Sequence, residues 1–292
     1  MAVPPAKLAL PELAAMKRRG DKIVMVTAYD APGARFAEDG GVDVILVGDT
    51  AAMVVLGHAG TTPVTMDEML FLSRTVTRAA RRPVVIGDMP FGSYQVSDED
   101  AVRNAIRFVK EADVDAVKLE GAGPSVSRAH AIVEAGVPVM GHVGLTPQSA
   151  TMLGGFKTQG RSAEAARELV EGALALQDAG CFAIVLEAVP APVAAEITSR
   201  LEVPTIGIGA GPDCDGQVLV YHDLLGMSEG HLPRFVKRYA NLSREIRDAL
   251  EHYVHDVRAG VFPEEQHTYA MPEDELVRFS GDKGPEREHE RR

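Results

Sequence analysis

The 292-residue sequence has no tryptophan and only two cysteines, and it lacks an apolar run approaching the roughly 20 residues needed to cross a bilayer. Cys181 and Cys214 cannot alone form a disulfide framework or a cysteine zinc site, so we expect both as small buried hydrophobic residues. The N-terminus lacks the uninterrupted apolar run of a signal peptide. These absences predict a soluble, cytoplasmic protein with no membrane partner.

Basic residues are also in short supply. The chain has 30 Lys and Arg against 42 Asp and Glu, which gives a formal net charge of −12. Because binding to a phosphate backbone needs clustered Lys and Arg, this balance disfavours a nucleic-acid partner. With 46% apolar and 25% charged residues, the composition is typical of a globular chain that folds without disulfides.

Short runs rich in Val and Ile recur along the chain, each followed by a polar residue and then by a helix-like stretch. Continuous apolar runs are typical of parallel strands buried on both faces. With Thr65, Ser97 and Ser162 as helix caps, they predict an α/β fold, a (β/α)₈ TIM barrel over residues 1–270. The segment Gly209–Gly216 is too short for a crossover helix. The runs are Ile23–Ala28, Val44–Gly48, Val84–Gly87, Ala116–Leu119, Val137–Gly141, Phe182–Leu186, Thr205–Ile208 and Val218–Tyr221.

Two features follow the last run. Apolar residues at intervals of three or four from Phe235 to Val257 predict a long amphipathic helix that ends at Gly260. Its apolar stripe has to be covered, either by the barrel wall or by a neighbouring subunit. The charged residues 271–292 predict a disordered tail.

Acidic residues follow strands two, three, four and six, at the barrel end where active sites of this architecture lie. They are Asp49, Asp88, Glu120 and Glu187. Any one alone would be explained as a helix cap, but four convergent carboxylates repel one another and call for a cation. Because Asp49, Asp88 and Glu120 offer only oxygen ligands, Mg²⁺ is favoured over zinc.

Three further side chains at these strand ends each have two interpretations. Lys118 shares a strand face with Glu120, so it either forms a structural ion pair or binds a substrate carboxylate or enolate oxygen. Glu187, partly buried behind an apolar run, is either a general base or a further metal ligand or cap. His142 is either a proton carrier or a hydrogen-bonded positioning residue.

Two loops are also ambiguous. The long loop Gly144–Arg161 is either a lid or an ordered subunit contact. The glycines of the GIGAG segment, residues 207–211, either bind a phosphate through backbone N–H groups or serve tight turns.

The ordered motifs together resemble the ketopantoate hydroxymethyltransferase family, from about Asp21 to His267. They are VTAYDAP, ILVGDTAAMVVLGH, TTPVT, GDMPFGSY, AVKLEG, PVMGHVGLTPQS, GGFKTQGR, LEAVP, PTIGIGAG, DGQVLVYHDLLG and GVFPEEQH. The resemblance implies a magnesium-dependent barrel of the phosphoenolpyruvate mutase/isocitrate lyase type, assembled as a homodecamer. It also implies transfer of the one-carbon unit of 5,10-methylenetetrahydrofolate to 3-methyl-2-oxobutanoate, giving ketopantoate in pantothenate and coenzyme A biosynthesis.

The resemblance also assigns roles to residues. One Mg²⁺ is implied at Asp49, Asp88 and Glu120, the ketoacid at Asp49, Thr50, Asp88 and Lys118, and proton abstraction at Glu187. Thr50 stands where the family usually has Ser, which keeps the hydroxyl and adds a methyl group. His142 and Tyr29 are candidate supporting residues.

Two other functions compete with this one. A lyase or mutase of the related barrel group would act on a phosphorylated or dicarboxylate ketoacid. Such an enzyme would require more Arg or Lys at the barrel mouth and a cysteine in the mobile loop. A non-catalytic ring protein is the other alternative, and the acidic and basic residues at the strand ends argue against it.

Overall fold

The structure is a computed structural model, and it describes residues 6–152, 154–155, 157–228 and 232–281. The chain divides into two compact units, Met1–Asn241 and Leu242–Arg292. Within the described ranges, the first unit is a closed barrel of eight parallel strands that follow one another in sequence order. The predicted (β/α)₈ barrel is confirmed.

Each predicted apolar run overlaps a strand. The strands are β1 Ile23–Thr27, β2 Val44–Val47, β3 Val84–Asp88, β4 Ala116–Lys118, β5 Val139–Gly144, β6 Ala183–Glu187, β7 Thr205–Ile208 and β8 Gly216–Leu219. The eighth strand begins earlier than predicted, because Gly216 pairs with both Ile23 and Ile206. A side chain at Gly216 would collide with the Ile23 carbonyl oxygen, so the strand begins at a residue that carries no apolar signal.

The helices surround this barrel or precede and follow it. They are α1 Leu10–Arg19, α2 Ala31–Asp39, α3 Ala51–Val54, α4 Met66–Thr77, α5 Asp98–Ala112, α6 Pro124–Glu134, α7 Ala163–Asp178, α8 Ala191–Arg200, α9 Tyr221–Leu224, α10 Leu242–Ala259 and α11 Glu273–Gly281. The predicted caps Thr65, Ser97 and Ser162 each accept a backbone N–H, and Thr65 forms a capping box with Glu68. Among the described helices, none is both long and apolar enough to span a membrane.

The barrel interior is filled by alternate residues of the strands. This cluster includes Ile23, Met25, Val44, Leu46, Val84, Ile86, Ala116, Met140, Ala183, Val185, Ile206 and Val218. Leu13 of α1 joins the same cluster and is buried, so α1 closes the end at which the strands begin. The opposite strand faces pack against the surrounding helices. The carboxyl end of the barrel is therefore the end left for a site.

The connection from β7 to β8 is formed by turns over residues 209–215. Gly209 and Gly211 have φ of 65° and 86°, which agrees with the interpretation of these glycines as turn residues. Asp215 fixes the end of the connection, because its carboxylate accepts hydrogen bonds from the Thr205 backbone N–H and from Lys17 Nζ, both at 2.8 Å.

The second unit consists of α10, α11 and the segment between them. It includes α10, which the predicted domain boundary at residue 270 had left with the barrel. That helix begins at Leu242 rather than near Phe235, because the Tyr239 N–H donates to the Leu224 carbonyl instead of to a helical partner. It ends at Gly260, with φ of 70°, as predicted.

The segment predicted as a disordered tail contains α11. Its first turn is acidic, with Glu273, Asp274 and Glu275, and Arg278 lies in its last turn. Both placements favour a helix through its dipole, even though the segment has few apolar residues. Residues 282–292 of the predicted tail lie outside the described residues.

The outer face of β3 yields a stability prediction. A Cβ on Gly87 would lie 2.5 Å from Cδ1 of the buried Phe108 ring. We expect Gly87→Ala to lower the free energy of unfolding by about 1–3 kcal/mol, since the added methyl overpacks the wall. Gly60→Ala is the control, because no atom lies within 4 Å of its Cβ position. Denaturant unfolding measures both, and equal stability of the two variants would contradict this packing.

Candidate active site

The polar residues at the barrel mouth continue the inward-facing register of the strands. Asp88 follows Ile86 by two residues, Lys118 follows Ala116, and Glu187 follows Val185. Since side chains alternate between the two faces of a strand, these polar groups point into the barrel as the apolar residues before them do. His142 follows Met140 in the same way, and Glu120 lies two residues beyond Lys118. Strand periodicity thus brings them together.

One cavity at this mouth is lined by seven of the eight predicted site residues. They are Asp49, Thr50, Asp88, Lys118, Glu120, His142 and Glu187, with Thr27, Pro147 and apolar side chains completing the wall. The eighth, Tyr29, is outside this lining. It packs in the core between barrel and helices, and its ring centroid lies 5.6 Å from that of His222. Burial raises the pKa of the Tyr29 phenol, and the charges of Asp49 and Asp88 raise it further, so the hydroxyl lies beside the site without lining the cavity.

Lys118 is the central cation of the cavity. Its Nζ lies 2.8 Å from Asp88 Oδ1 and 3.5 Å from Glu120 Oε1. The closer partner is therefore Asp88 rather than Glu120. Burial disfavours the charged ammonium, but the attraction of the surrounding carboxylates outweighs it and raises the pKa of Lys118 above its usual value. Lys118 is charged at neutral pH.

Asp49 and Asp88 lie side by side after β2 and at the end of β3. The Asp49 backbone N–H donates to Asp88 Oδ2 at 3.0 Å. Burial, together with repulsion from Asp88 and Glu120, raises the pKa of Asp49 well above its usual value. Burial also raises the pKa of Asp88, although Lys118 offsets part of the effect. The ionised form of Asp49 is therefore disfavoured unless further positive charge is supplied beside it.

His142 lies between two carboxylates. Its Nδ1 is 3.6 Å from Glu120 Oε1, and its Nε2 is 3.3 Å from Glu187 Oε2. Within the described residues neither nitrogen makes a well-directed hydrogen bond, so these are ion-pair contacts. Burial and Lys118 lower the pKa of His142, but Glu120 and Glu187 outweigh them and raise it to about 9. The imidazole is therefore a second buried cation.

Glu120 responds to both cations. Burial alone would raise its pKa, but Lys118 and His142 together lower it below the usual value. Glu120 is thus the carboxylate already compensated by the protein, whereas Asp49 is the one left most in need of positive charge.

The backbone around Glu187 is unusually constrained. Ala188, directly after it, has a φ of 48°, a left-handed conformation that costs a non-glycine residue roughly 1–2 kcal/mol. Gly144 packs against the Glu187 carbonyl so closely that any side chain at Gly144 would collide with it. The Leu145 N–H donates to the same carbonyl at 2.8 Å. These contacts fix the backbone of Glu187. Its side chain is 15% exposed and lines the cavity.

Gln148 contacts two of the carboxylates and Tyr94 contacts Gln148, but neither was among the predicted site residues. Gln148 Nε2 donates to Asp49 Oδ2 at 3.0 Å, and its backbone N–H donates to Glu120 Oε2 at 3.0 Å. Tyr94 Oη donates to Gln148 Oε1 at 2.6 Å. Gln148 and Tyr94 lie far in sequence from the residues that they contact. The local sequence therefore gave no indication of either residue beyond its presence in one of the motifs.

The donor set suits a hard cation but is not a complete cage. Among the described residues, no three His, Cys, Asp or Glu side chains stand in a ready metal-binding arrangement. Asp49 and Asp88 nevertheless supply adjacent buried carboxylates with an excess of negative charge. Mg²⁺ commonly uses one or two protein carboxylates and takes its remaining ligands from water and substrate, so these residues fit it.

Comparisons with known proteins identify the family of the chain. Residues 7–265 match the sequence family described as ketopantoate hydroxymethyltransferase. A 3-methyl-2-oxobutanoate hydroxymethyltransferase from Moorella thermoacetica is 56% identical over 90% of this chain and 98% of its own length. One from Carboxydothermus hydrogenoformans is 54% identical over 94% of this chain and 99% of its own.

Solved structures with the same fold come from the phosphoenolpyruvate mutase/isocitrate lyase superfamily. A phosphonopyruvate hydrolase complex with oxalate and Mg²⁺ superposes with a TM-score of 0.58 at 14% identity, covering 94% of this chain and 95% of its own. A 2,3-dimethylmalate lyase has a TM-score of 0.58 at 18% identity, covering 95% of this chain and 96% of its own. At these identities the likeness concerns the fold. The sequence match over most of the chain shows that it is an enzyme of the ketopantoate hydroxymethyltransferase family.

Proposed function

We propose that the chain transfers the one-carbon unit of 5,10-methylenetetrahydrofolate to C3 of 3-methyl-2-oxobutanoate, giving 2-dehydropantoate (ketopantoate) and tetrahydrofolate. Water supplies the oxygen of the new hydroxymethyl group. The observation that carries the proposal is the convergence of Asp49, Asp88, Lys118, Glu120 and Glu187 on one cavity, in a member of this family. The product would enter pantothenate and coenzyme A biosynthesis. Two buried free cysteines are compatible with the reducing cytoplasm in which we place the enzyme.

Glu187 would remove the C3 proton. Its carboxylate borders the cavity, and its backbone is held by the contacts with Gly144 and Leu145. His142 Nε2 lies 3.3 Å from Glu187 Oε2, where it holds the carboxylate in place beside the cavity. This supports the positioning role for His142 over the proton-carrier role.

Lys118 and Thr50 would hold the ketoacid. The Lys118 ammonium is the cation available to a substrate carboxylate or to the oxygen on which negative charge develops when the C3 proton leaves. Thr50 lines the cavity and precedes α3 without capping it through its side chain, so its hydroxyl is available to a ligand. Its extra methyl, compared with serine, narrows the space beside the ketoacid.

Asp49 and Asp88 would hold one Mg²⁺ per subunit, with Glu120 as the third acidic residue beside it. When bound there, Mg²⁺ supplies Lewis-acid polarisation of the keto group and acidifies the neighbouring C–H. The protein contributes the charge excess that attracts the ion and, through Lys118, a fixed positive charge that keeps Asp88 in place.

Removal of the base should separate proton abstraction from binding. We expect Glu187→Gln to abolish Mg²⁺-dependent exchange of the C3 proton of 3-methyl-2-oxobutanoate in deuterated water, because the amide cannot accept the proton. NMR follows the exchange, and calorimetry verifies that the ketoacid still binds. Glu196→Gln, at an exposed position on α8, is the matched control and should exchange normally. Normal exchange in Glu187→Gln would refute the role of Glu187.

Removal of the Lys118 ammonium should lower the stability of the protein. Lys118→Met leaves Asp88 buried without its partner, which we expect to lower the free energy of unfolding by about 3–5 kcal/mol. Because a bound ion would replace the lost positive charge, added Mg²⁺ should raise the Tm of this variant more than that of the wild type. Lys110→Met, at an exposed site on α5, is the control. Equal Tm values for the two variants would count against the electrostatic account.

We also propose that the protein is a homo-oligomer, with a decamer as the assembly implied by the resemblance. On α10, Leu250, Tyr253 and Val257 share one face and are 58%, 55% and 45% exposed. On the first unit, the outer face of β1 and β8 leaves an open groove that includes Val24 and Phe235. Apolar surfaces of this kind mark contacts with other chains.

A charge on the α10 stripe should break the assembly. We expect Leu250→Asp to reduce the molar mass measured by size-exclusion chromatography with light scattering, because a buried unpaired carboxylate is unfavourable in an interface. His255→Asp places the same charge on the opposite face of the helix and should leave the mass unchanged. The same mass for Leu250→Asp and the wild type would exclude this stripe as an interface.

A further inference from the structure

Gln148 links the long loop after β5 to two of the carboxylates at the barrel mouth. It lies in a short 3₁₀ helix, Pro147–Ser149, just after the end of β5, and its side chain is buried. Its amide reaches Asp49, whereas its backbone N–H reaches Glu120. One residue of the loop therefore contacts acidic groups that come from two different strand ends.

The orientation of the Gln148 amide is determined by its neighbours. Nε2 faces two acceptors, Asp49 Oδ2 at 3.0 Å and the Met89 carbonyl at 2.9 Å. Oε1 faces two donors, Tyr94 Oη at 2.6 Å and Gln95 Nε2 at 3.2 Å. Rotation of the amide by half a turn would set oxygen against oxygen on one side and donor against donor on the other. Only a group that donates on one side and accepts on the other satisfies this position.

Tyr94 closes a ring of hydrogen bonds with Gln148 and Glu120. The Glu120 backbone N–H donates to Tyr94 Oη at 3.1 Å, which directs the phenolic proton toward Gln148 Oε1. The Gln148 N–H donates in turn to Glu120 Oε2. All three residues are buried. In a buried network of this kind, loss of one member leaves the others unsatisfied, so the members move together.

Resting on the proposed function, we propose that Gln148 is a positioning residue that couples the loop to the divalent-cation site. By holding the carboxylates of Asp49 and Glu120 in place, it lowers the entropic cost of binding the ion. By the same contacts, an ion that orders these carboxylates orders the loop. Groups that orient metal ligands typically contribute roughly 10- to 100-fold to metal affinity.

The test uses the full-length protein and Mn²⁺, whose binding is followed by electron paramagnetic resonance of the free ion. Gln148→Leu removes the amide at similar volume, and Tyr94→Phe removes only the hydroxyl that orients it. We expect a roughly 10- to 100-fold weaker Mn²⁺ affinity in Gln148→Leu and a smaller loss in Tyr94→Phe. Gln159→Leu is the control, because within the described residues that side chain bonds only to the Lys157 carbonyl of the same loop.

Limited trypsin digestion gives a second readout that does not depend on activity. Lys157 and Arg161 are exposed in the loop. Saturating Mn²⁺ with ketoacid should slow cleavage there in the wild type and in Gln159→Leu, but not in Gln148→Leu. At Mn²⁺ concentrations that saturate the weakened site, Tyr94→Phe should regain wild-type ketoacid affinity, which a general loss of structure would not allow.

The outcomes separate the two proposals. If the wild type binds Mn²⁺ and both variants match it in affinity and in protection of the loop, the coupling through Gln148 is wrong and the proposed function stands. If the wild type binds no Mn²⁺ with or without ketoacid, the proposed function fails and the coupling fails with it.

Discussion

The placement of three buried carboxylates and the partly buried Glu187 around Lys118 and His142 is the constraint on which the rest of this site depends. Ionised carboxylates removed from water are costly, and each additional one raises the cost for the others. Lys118 contacts Asp88 and Glu120, and His142 contacts Glu120 and Glu187, so two cations face four carboxylates and Asp49 has the least compensation. The residual negative charge is what the proposed Mg²⁺ would offset, so the same imbalance that costs stability prepares the site for its ligand.

The barrel keeps this arrangement by geometry rather than by local sequence. Asp88, Lys118, His142 and Glu187 continue the inward register of strands whose earlier residues fill the apolar interior. The strands are positioned by close packing on the outside, as between Gly87 and Phe108, and by backbone contacts at the mouth, as between Gly144 and Glu187. A small shift in a strand would therefore move a charged group. This is why the predicted effects of mutations concern both stability and chemistry.

Much of the fold could be predicted, because parallel strands and capped helices have local signatures. The acidic strand ends were also predictable, since a barrel brings its carboxyl ends together. Gly216 was not predicted as the start of β8. In the sequence, a glycine that allows close backbone approach cannot be distinguished from a glycine in a turn. Tyr29 was included because it follows β1, and the structure places it in the core beside the cavity rather than in the cavity lining.

The roles of Gln148 and Tyr94 could not be predicted from the local sequence. Their contacts join the loops after four different strands, and nothing in the neighbouring residues distinguishes a buried glutamine with several hydrogen bonds from a loop glutamine. The most direct test of the proposed site is a crystal structure with Mg²⁺ and 3-methyl-2-oxobutanoate. The account predicts the ion on Asp49 and Asp88, the ketoacid beside Lys118 and Thr50, and the Glu187 carboxylate facing C3. An ion bound away from Asp49 and Asp88, or a ketoacid with C3 turned away from Glu187, would contradict it.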